Sequence, residues 1–362
     1  MSESLKSFAD AIRTAAAGKR PLRLRGGGSK DFYGQVIAGE PLDTRGYAGV
    51  IAYEPTELVV TAKCGTALAG LESTLRENGQ MLAFEPPHYA PPGEGGATVG
   101  GMLAAGLAGP RRASAGAVRD FVLGVTLMDA RGETLRFGGT VMKNVAGYDL
   151  SRLMAGSMGT LGLVLDVSLK VLPLPAAEAT LRFEMPEDKA IETLNRWAGR
   201  PLPISASAYT GGELHVRLSG APPALDSARR RLGGERLDDE QARRFWSGIR
   251  EHTDDFFRTE SQLWRLSLPS ATPPLGLQGA QLIEWGGALR WLATGADART
   301  LREAARRAGG HATLFRGGTE EERRSAGVFH PLEPALAKLH RDLKASFDPE
   351  GIFNRGRMYP DF

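Results

Sequence analysis

Glycine is the residue that recurs where this chain could bind a ligand, in four loops of its first half that each adjoin a predicted strand. Glycine lets the backbone approach a ligand closely and adopt positive φ. The first loop, residues 25–30, reads RGGGSK, and its consecutive backbone N–H groups suit a phosphate. It lacks the spacing of a Walker loop, and Asp31 stands where the third glycine of GxGxxG would be. A phosphate site and a plain flexible turn both remain open for this loop.

The third glycine loop, residues 156–162, reads GSMGTLG, in which glycine occupies every third position. The alternating apolar residues that follow, 163–172, predict a half-buried strand. A loop that precedes its strand reverses the Rossmann order, so a nucleotide here would be held by another fold. The alternative is a tight turn before a core strand.

Proline and glycine dominate residues 86–110, with prolines stiffening the first half and glycines opening the second. The apolar run 102–107 can start a helix. We expect the first N–H groups of that helix to face whatever lies near residues 98–101.

Composition limits the class of protein. The 362 residues include 45 basic and 42 acidic side chains, a net charge of +3, which gives no bulk basic field for nucleic acid. Cys64 is the single cysteine, which excludes an iron–sulfur cluster held by this chain alone. The first 20 residues lack a signal-peptide apolar core, and the longest uncharged stretch, 95–110, is too short and glycine-rich to span a bilayer. We therefore expect a soluble protein with room for two or three domains.

The hydrophobic pattern changes after Pro173 and Pro175. Before them, the pattern predicts strands at residues 22–25 and 49–53 and helices at 4–17 and 68–77, with apolar runs at 58–62 and 81–84. It also predicts a hairpin, with a first strand at 121–129, a turn at 131–132 and a return strand that ends at 137. After them, strands alternate with helices without long parallel crossovers, which predicts one antiparallel sheet with helices on one face. We therefore predict domains at 1–172, 173–330 and 331–362, the last a helix and tail.

Taken jointly, these segments resemble the FAD-binding fold of the vanillyl-alcohol oxidase and p-cresol methylhydroxylase (PCMH) family. The resemblance is carried by RGGGSK at 25–30, GEGGATVGGMLAAGLAG at 93–109, VRDFVLGVTLMDARGE at 118–133 and KNVAGYDLSRLMAGSMGTLGLV at 143–164. The tail DPEGIFNRGRM at 348–358 resembles the C-terminal return to the flavin in members that oxidise 2-hydroxy acids. The resemblance implies an α+β fold: a two-subdomain FAD-binding PCMH-type domain, a smaller antiparallel α+β cap domain and a C-terminal return segment. In length and detail the chain is most similar to the FAD-binding E subunits of bacterial glycolate oxidases.

The resemblance also implies which residues meet the cofactor. Residues 26–29 would donate N–H groups to the pyrophosphate, and residues 98–101 would lie against the flavin and the ribityl chain. The backbone near Gly162 would contact the ribityl and adenine side of the cofactor. The tail would approach the isoalloxazine ring. The implied cofactor-binding residues are Arg25, Gly26, Gly27, Gly28, Ser29, Lys30, Gly95, Thr98, Gly100, Gly101, Gly156, Gly159, Thr160, Gly162, Leu163, Asn354 and Arg357.

Two positions depart from the family pattern. Members with a histidyl-linked flavin carry histidine after the first glycine loop, where this chain has Ser29, so we predict non-covalent FAD. Relatives carry a glutamate in the third glycine loop where this chain has Met158, so a carboxylate role at that place is absent.

Oxidation of a 2-hydroxy acid by flavin requires a base for the hydroxyl and a cation for the carboxylate. Catalytic relatives supply clustered histidines, whereas the six histidines here are scattered through the chain: His88, His215, His252, His311, His330 and His340. We assign no catalytic residue and no metal site. Lys143 and Tyr148 could stand near the flavin ring, and His330 is the remaining histidine of interest.

The resemblance thus implies an FAD-dependent oxidoreductase subunit that works within a heteromeric complex oxidising glycolate to glyoxylate. By resemblance, its partners would be a larger FAD-containing catalytic subunit and an iron–sulfur subunit, in the cytoplasm or peripheral at the inner membrane through those partners. Two alternatives stay open: a stand-alone flavoprotein of the same fold, and a non-catalytic scaffold subunit. The sequence does not choose between a redox and a structural role for the flavin.

Overall fold

The computed structural model describes residues 3–89, 96–140 and 149–362. Its helices are α1 Glu3–Ala17, α2 Leu68–Glu77, α3 Val99–Ala105, α4 Arg112–Ala115, α5 Val118–Phe121, α6 Leu150–Leu153, α7 Glu187–Ala198, α8 Pro222–Leu232, α9 Asp239–Glu251, α10 Ala298–Arg307, α11 Glu320–Ala326 and α12 Pro334–Phe347. Its strands are β1 Leu22–Arg25, β2 Glu40–Asp43, β3 Val50–Glu54, β4 Val59–Lys63, β5 Gln80–Met81, β6 Val122–Met128, β7 Thr134–Gly138, β8 Leu163–Lys170, β9 Leu172–Pro173, β10 Ala177–Glu184, β11 Ile204–Thr210, β12 Glu213–Gly220, β13 Glu235–Arg236, β14 Gln262–Ser267, β15 Ala280–Glu284, β16 Leu289–Thr294 and β17 His311–Arg316.

The first half is built on a five-stranded antiparallel sheet in the order β3-β4-β8-β6-β7. The predicted hairpin is its β6–β7 edge, and the strand after the third glycine loop, β8, is its centre. Leu165 and Val167 of β8 are buried in one core with apolar residues of α1, α2 and α3. Burial on nearly all of β8 explains why it ends up central rather than at an edge.

A separate parallel pair, β1–β2, carries the first glycine loop at its end. Leu22 in β1 also forms a parallel bridge with Phe353 of the C-terminal tail, and Leu22 N donates to Ile352 O at 2.7 Å. The first strand is therefore held between β2 and the tail. We predicted β1 but neither of these neighbours.

The second half is an eight-stranded sheet in the order β13-β10-β12-β11-β15-β16-β14-β17, and every neighbouring pair is antiparallel. This confirms the predicted antiparallel sheet. One face packs apolar residues against α7 and α8, and further along against α10.

Helix α9 lies on the other face, so the prediction of helices on one face only is wrong. Trp246 and Ile249 of α9 are buried with sheet residues such as Trp291 and Phe315, and the Trp246 indole N–H donates to Thr180 Oγ1 at 2.9 Å. The start of α9 is marked by a capping box from Asp238 to Gln241, a local signal that the periodicity analysis missed.

Ion pairs of two buried arginines, Arg111 and Arg217, connect the glycine-rich first half of the chain to the large sheet. The Arg111 guanidinium donates to Glu85 Oε1 at 3.4 Å and to Glu178 Oε1 at 2.5 Å. Arg217 on β12 donates to Glu85 Oε1 at 2.8 Å. Trp285 adds a hydrogen bond from its indole N–H to Gly109 O at 3.1 Å. The predicted domain boundaries at residues 172 and 330 remain predictions.

Candidate cofactor site

A cleft of about 1110 Å³, counting the part open to solvent, lies where the glycine loops converge with the C-terminal tail. Most of the predicted cofactor residues line it: Arg25, Gly26, Gly27, Gly28, Ser29, Lys30, Thr98, Gly100, Gly101, Gly159, Gly162, Leu163, Asn354 and Arg357. Gly156 and Thr160 do not line the cleft. The structure does not describe Gly95, Lys143 or Tyr148.

The first loop presents a row of backbone donors to this cleft. The N–H groups of residues 26–30 donate to no acceptor in the described parts of the chain, whereas those of Asp31 and Tyr33 close turns onto Gly28 O and Lys30 O. Gly28 has φ +79°, a conformation that a side chain would strain. Buried N–H groups are normally paired, so five in succession at a cleft indicate an external acceptor with several oxygens.

The start of α3 forms the second wall, and this helix begins at Val99, before the apolar run 102–107 in which we predicted its start. Thr98 caps α3 by accepting from Gly101 N at 3.2 Å, while Gly100 N donates to Cys64 O at 2.8 Å. The N–H of Val99 is also used, by Thr66 O. Gly100 is required for packing, since a Cβ there would lie 2.8 Å from the Cβ of Cys64.

The third loop, residues 156–162, closes the opposite side. Gly159 fits directly against the tail, because a Cβ on it would lie 2.7 Å from Asn354 Nδ2. The two predicted residues outside the wall have other contacts. Gly156 N donates to Leu103 O, and Thr160 Oγ1 donates to Ser157 O at 2.7 Å.

Two tail residues brace the loops from outside. Asn354 accepts from Leu24 N at 2.8 Å and donates from Nδ2 to Met158 O at 2.7 Å. Arg357 donates to the carbonyl oxygens of Gln35, Lys30 and Asp31 at 2.9–3.3 Å. Their side chains line the cleft while their polar atoms hold backbone in place.

Lys30 is the cation best placed at the cleft. Its ammonium donates to Ser29 Oγ at 3.4 Å and to His88 O at 3.3 Å. Burial lowers the pKa of Lys30 to about 8, against the opposing pull of Glu251. An anion that enters the cleft would therefore meet a partly dehydrated cation whose charge is sensitive to pH above neutrality.

Cys64 also lines the cleft, and burial, reinforced by Asp166, raises the pKa of its thiol to about 12. A thiol with so high a pKa is protonated at neutral pH and is a poor nucleophile. Its role here is packing under Gly100.

Sequence reasoning missed several wall residues: Arg23, Leu24, Asp31, Val36, Ile37, Thr44, Cys64, Ala104, Ala105, Met158 and Val164. Thr44 reaches the cleft because β2 pairs in parallel with β1, and Thr44 N donates to Arg25 O at 2.9 Å. That pairing joins residues nearly twenty positions apart and has no local signature. The spacing of glycines in the sequence locates the glycine loops, but it does not reveal the other residues that pack around them to form the cleft wall.

Comparison with known proteins identifies the family. The chain is 48% identical over 356 residues to the glycolate oxidase subunit GlcE of Escherichia coli (strain K12), covering 98% of this chain and 97% of that one. The chain belongs to the GlcE family. A family model described as "FAD binding domain" matches residues 2–138.

More distant relatives agree with this assignment to FAD-linked oxidoreductases. A D-lactate dehydrogenase of Archaeoglobus fulgidus is 32% identical over 192 residues, 51% of this chain and 41% of that protein. The solved structure of p-cresol methylhydroxylase with substrate bound superposes with a TM-score of 0.68 at 15% identity, covering 99% of this chain and 87% of that one. The predicted PCMH-type fold and the FAD cofactor are thereby confirmed.

The cleft fits FAD on its own geometry. The row of unpaired N–H groups at residues 26–30 suits a diphosphate. Apolar side chains on the same wall, Val36, Ile37, Ala104 and Met158, suit the faces of flat rings.

None of the six histidines, all of which lie in described parts of the chain, lines the cleft. His252 stacks on Phe257 with ring centroids 3.8 Å apart, and burial holds its pKa well below the usual range. His330, singled out from the sequence, receives the N–H of Ala312 on Nδ1 at 3.3 Å. The others contact Glu72, Phe245 and the backbone of Leu336, or lie near His330. They act as packing and surface residues.

The described residues contain no group of three His, Cys, Asp or Glu side chains arranged to hold a metal ion. Among the same residues, no helix has both the length and the apolarity needed to cross a bilayer.

Aromatic rings pack behind one end of the cleft. Ala105 and Met158 line the cleft and also belong to a buried cluster with Tyr33, Trp285 and Phe315. This cluster joins the flavin loops to the large sheet. That end of the described wall is therefore backed by packed rings, and His252 is one of the rings that contact Phe315.

Proposed function

We propose that this chain is the FAD-binding subunit of a multi-subunit 2-hydroxy-acid oxidase that converts glycolate to glyoxylate. The observation that carries the proposal is the row of five N–H groups at residues 26–30 that find no acceptor among the described residues, in a chain of the GlcE family. FAD is held non-covalently, because Ser29 offers a hydroxyl where a covalent link would need histidine.

Different residues of the cleft bind different parts of the cofactor. Residues 26–30 receive the diphosphate, Lys30 balances its charge, and the wall around Met158 and Ala104 covers apolar surface of the rings. Bound FAD supplies a carrier that accepts two electrons together and can release them singly. The protein's own task is to orient it and keep water from its buried faces.

The partners in this proposal are a larger FAD-containing catalytic subunit and an iron–sulfur subunit, in the cytoplasm or at the inner membrane. Two observations support an assembly. The GlcE relative is described as a subunit, and a segment of 84 residues is 43% identical to the glycolate oxidase subunit GlcD of Bacillus subtilis, over 23% of this chain and 18% of that one. With Cys64 as its single cysteine, this chain needs a partner to hold any cluster.

We further propose that the chain oxidises glycolate only within its complex, with its flavin as a relay. The support is chemical. Hydride abstraction from a hydroxy acid needs a nearby base. No histidine lines the described cleft wall, and His252, which lies among the rings behind Met158, is buried and stacked on Phe257.

The test is the visible absorption spectrum of the purified chain, before and after acid precipitation, and then after anaerobic addition of glycolate. We expect flavin bands near roughly 370 and 450 nm that leave with the supernatant and that glycolate alone does not bleach. Bleaching would show a stand-alone oxidase. A colourless, folded protein would refute the cofactor site and favour a scaffold.

A pair of glycine variants localises the site. Gly27 lines the cleft, and we expect Gly27→Val to abolish FAD retention. Gly70→Val is the matched control, because Gly70 lies on the exposed face of α2, where a Cβ would meet no atom within 4 Å. Stoichiometric flavin in Gly27→Val would contradict the diphosphate assignment.

A further inference from the structure

The last turn of α12 contains a buried lysine whose three protons are all used. The Lys344 ammonium donates to Asp348 Oδ2 at 2.5 Å, to Thr160 O at 2.6 Å and to Phe353 O at 2.9 Å. The side chain of Lys344 is 7% exposed and that of Asp348 is 0% exposed. An ammonium has three donors, so this one is saturated by a carboxylate and two carbonyls. Its acceptors lie on two separate segments of the chain, the glycine loop that contains Thr160 and the turn 348–353.

Asp348 extends this contact into the tail. Its Oδ1 accepts from Ile352 N at 3.0 Å and its Oδ2 from Phe353 N at 2.8 Å, which fixes the turn 348–353. The next residue, Asn354, has φ +40° and donates to Met158 O. The Lys344–Asp348 pair and Asn354 thus hold two carbonyls of the third glycine loop, those of Met158 and Thr160.

Holding these carbonyls determines where the loop's N–H groups point. In a trans peptide the C=O and the following N–H lie on opposite sides. With Met158 O and Thr160 O directed at the tail, the N–H groups of Gly159 and Leu161 are directed away from it. These two and the N–H of Gly162 donate to no acceptor in the described parts of the chain. Gly159 and Gly162 themselves line the cleft.

We propose that Lys344 is a positioning residue for the cofactor: by anchoring Thr160 O it orients the peptide groups of loop 156–162 toward the bound FAD. This inference rests on the proposed FAD site and adds a residue outside its wall. Lys344 touches no ligand. It acts through the backbone of the loop, and Asp348 keeps it charged and in place.

The test compares FAD dissociation constants, from titrations of the apoproteins, with the apoprotein melting temperatures. Lys344→Met removes the donor to Thr160 O, and we expect a dissociation constant raised roughly tenfold or more, as for a lost charged hydrogen bond. Lys344→Arg keeps a charged donor and should recover part of the affinity. Lys338→Met is the matched control, because Lys338 makes the same i,i+4 contact with Asp342, at 2.6 Å, on the exposed face of α12.

A double variant separates positioning from stability. Lys344→Met alone leaves the Asp348 carboxylate buried without its cation, which is destabilising. Lys344→Met with Asp348→Asn removes both charges, and we expect its melting temperature to recover while its FAD dissociation constant stays raised. If the double variant binds FAD as tightly as the unmodified chain, the positioning role is overturned. If the unmodified chain binds no FAD, the proposed function itself has failed.

Discussion

Glu284, at the end of β15, is a buried carboxyl whose titration should be visible in the stability of the protein. It is 4% exposed, and its Oε2 accepts from the Trp291 indole N–H at 2.8 Å. Burial raises its pKa from the ordinary value of 4.5 to about 7, partly offset by that hydrogen bond and by Arg265, while Glu85 raises it further. The folded protein therefore keeps this carboxyl protonated at a pH at which the unfolded chain has already ionised it.

The sign and size of the effect follow from this difference. An acid with a raised pKa in the folded state contributes stability that is fully present below pH 4.5 and is lost as the pH rises toward about 7. At about 1.4 kcal/mol per pH unit, the loss across this window is about 3 kcal/mol. In Glu284→Gln this loss disappears, because the amide cannot ionise and its carbonyl oxygen still accepts from Trp291.

Urea unfolding of the FAD-saturated protein at pH 5 and pH 8 measures the effect. We expect the free energy of unfolding of Glu284→Gln, relative to the unmodified chain, to rise by about 3 kcal/mol between the two pH values. Any cost of the extra amide N–H is common to both pH values and cancels. Glu303→Gln on α10 is the control, since Glu303 is surface-exposed and its pKa is lowered by Arg299. A relative stability that is constant from pH 5 to pH 8 would refute the protonated, buried carboxyl.

Three further perturbations test the cleft and its supports. The pKa of Lys30 is about 8 without a ligand, so FAD affinity measured by titration should fall by up to about tenfold per pH unit above pH 8. Lys30→Met should remove this dependence on pH. An FAD affinity that is independent of pH up to 10 would contradict a role for the Lys30 charge. Arg217→Met should lower the free energy of unfolding by about 3 kcal/mol in urea, because it leaves Glu85 short of a buried cation; a loss below about 1 kcal/mol would mean that Glu85 is well solvated. Gly100→Val should cost about 2 kcal/mol by the same measurement and weaken FAD binding, because its Cβ would overlap Cys64; unchanged affinity would show that α3 does not contact the cofactor.

The sequence predicted those elements that local pattern determines. The bounds of β1 and α2 agree with the predictions, because glycine closely follows each of these periodic segments, Gly26 after β1 and Gly79 after α2. The glycine loops were found for a related reason. At Gly100 and Gly159 a Cβ would collide with a neighbouring residue, so only glycine fits at these two positions.

What the sequence did not predict depends on contacts between distant segments. The parallel β1–β2 pair and the bridge from Leu22 to Phe353 join stretches whose own patterns say nothing of each other. In the apolar run 81–84, only Met81 lies in a strand, where it and Gln80 pair with β9. Strand pairing is decided by the partner as much as by the residues themselves.

The tail shows that a resemblance can locate a residue without giving its role. The motif placed Asn354 and Arg357 at the flavin, and both line the cleft. Their roles follow from where their hydrogen bonds go. Both side chains donate to backbone carbonyl oxygens: Asn354 to that of Met158, and Arg357 to those of Lys30, Asp31 and Gln35 in and just after the first glycine loop. A donor committed to backbone inside the protein is not available to a ligand without leaving a buried carbonyl unpaired, which costs about 1–3 kcal/mol. A loop rich in glycine has little intrinsic preference for one conformation. The chain therefore needs side chains from elsewhere to select the conformation that faces the cofactor, and the tail supplies them.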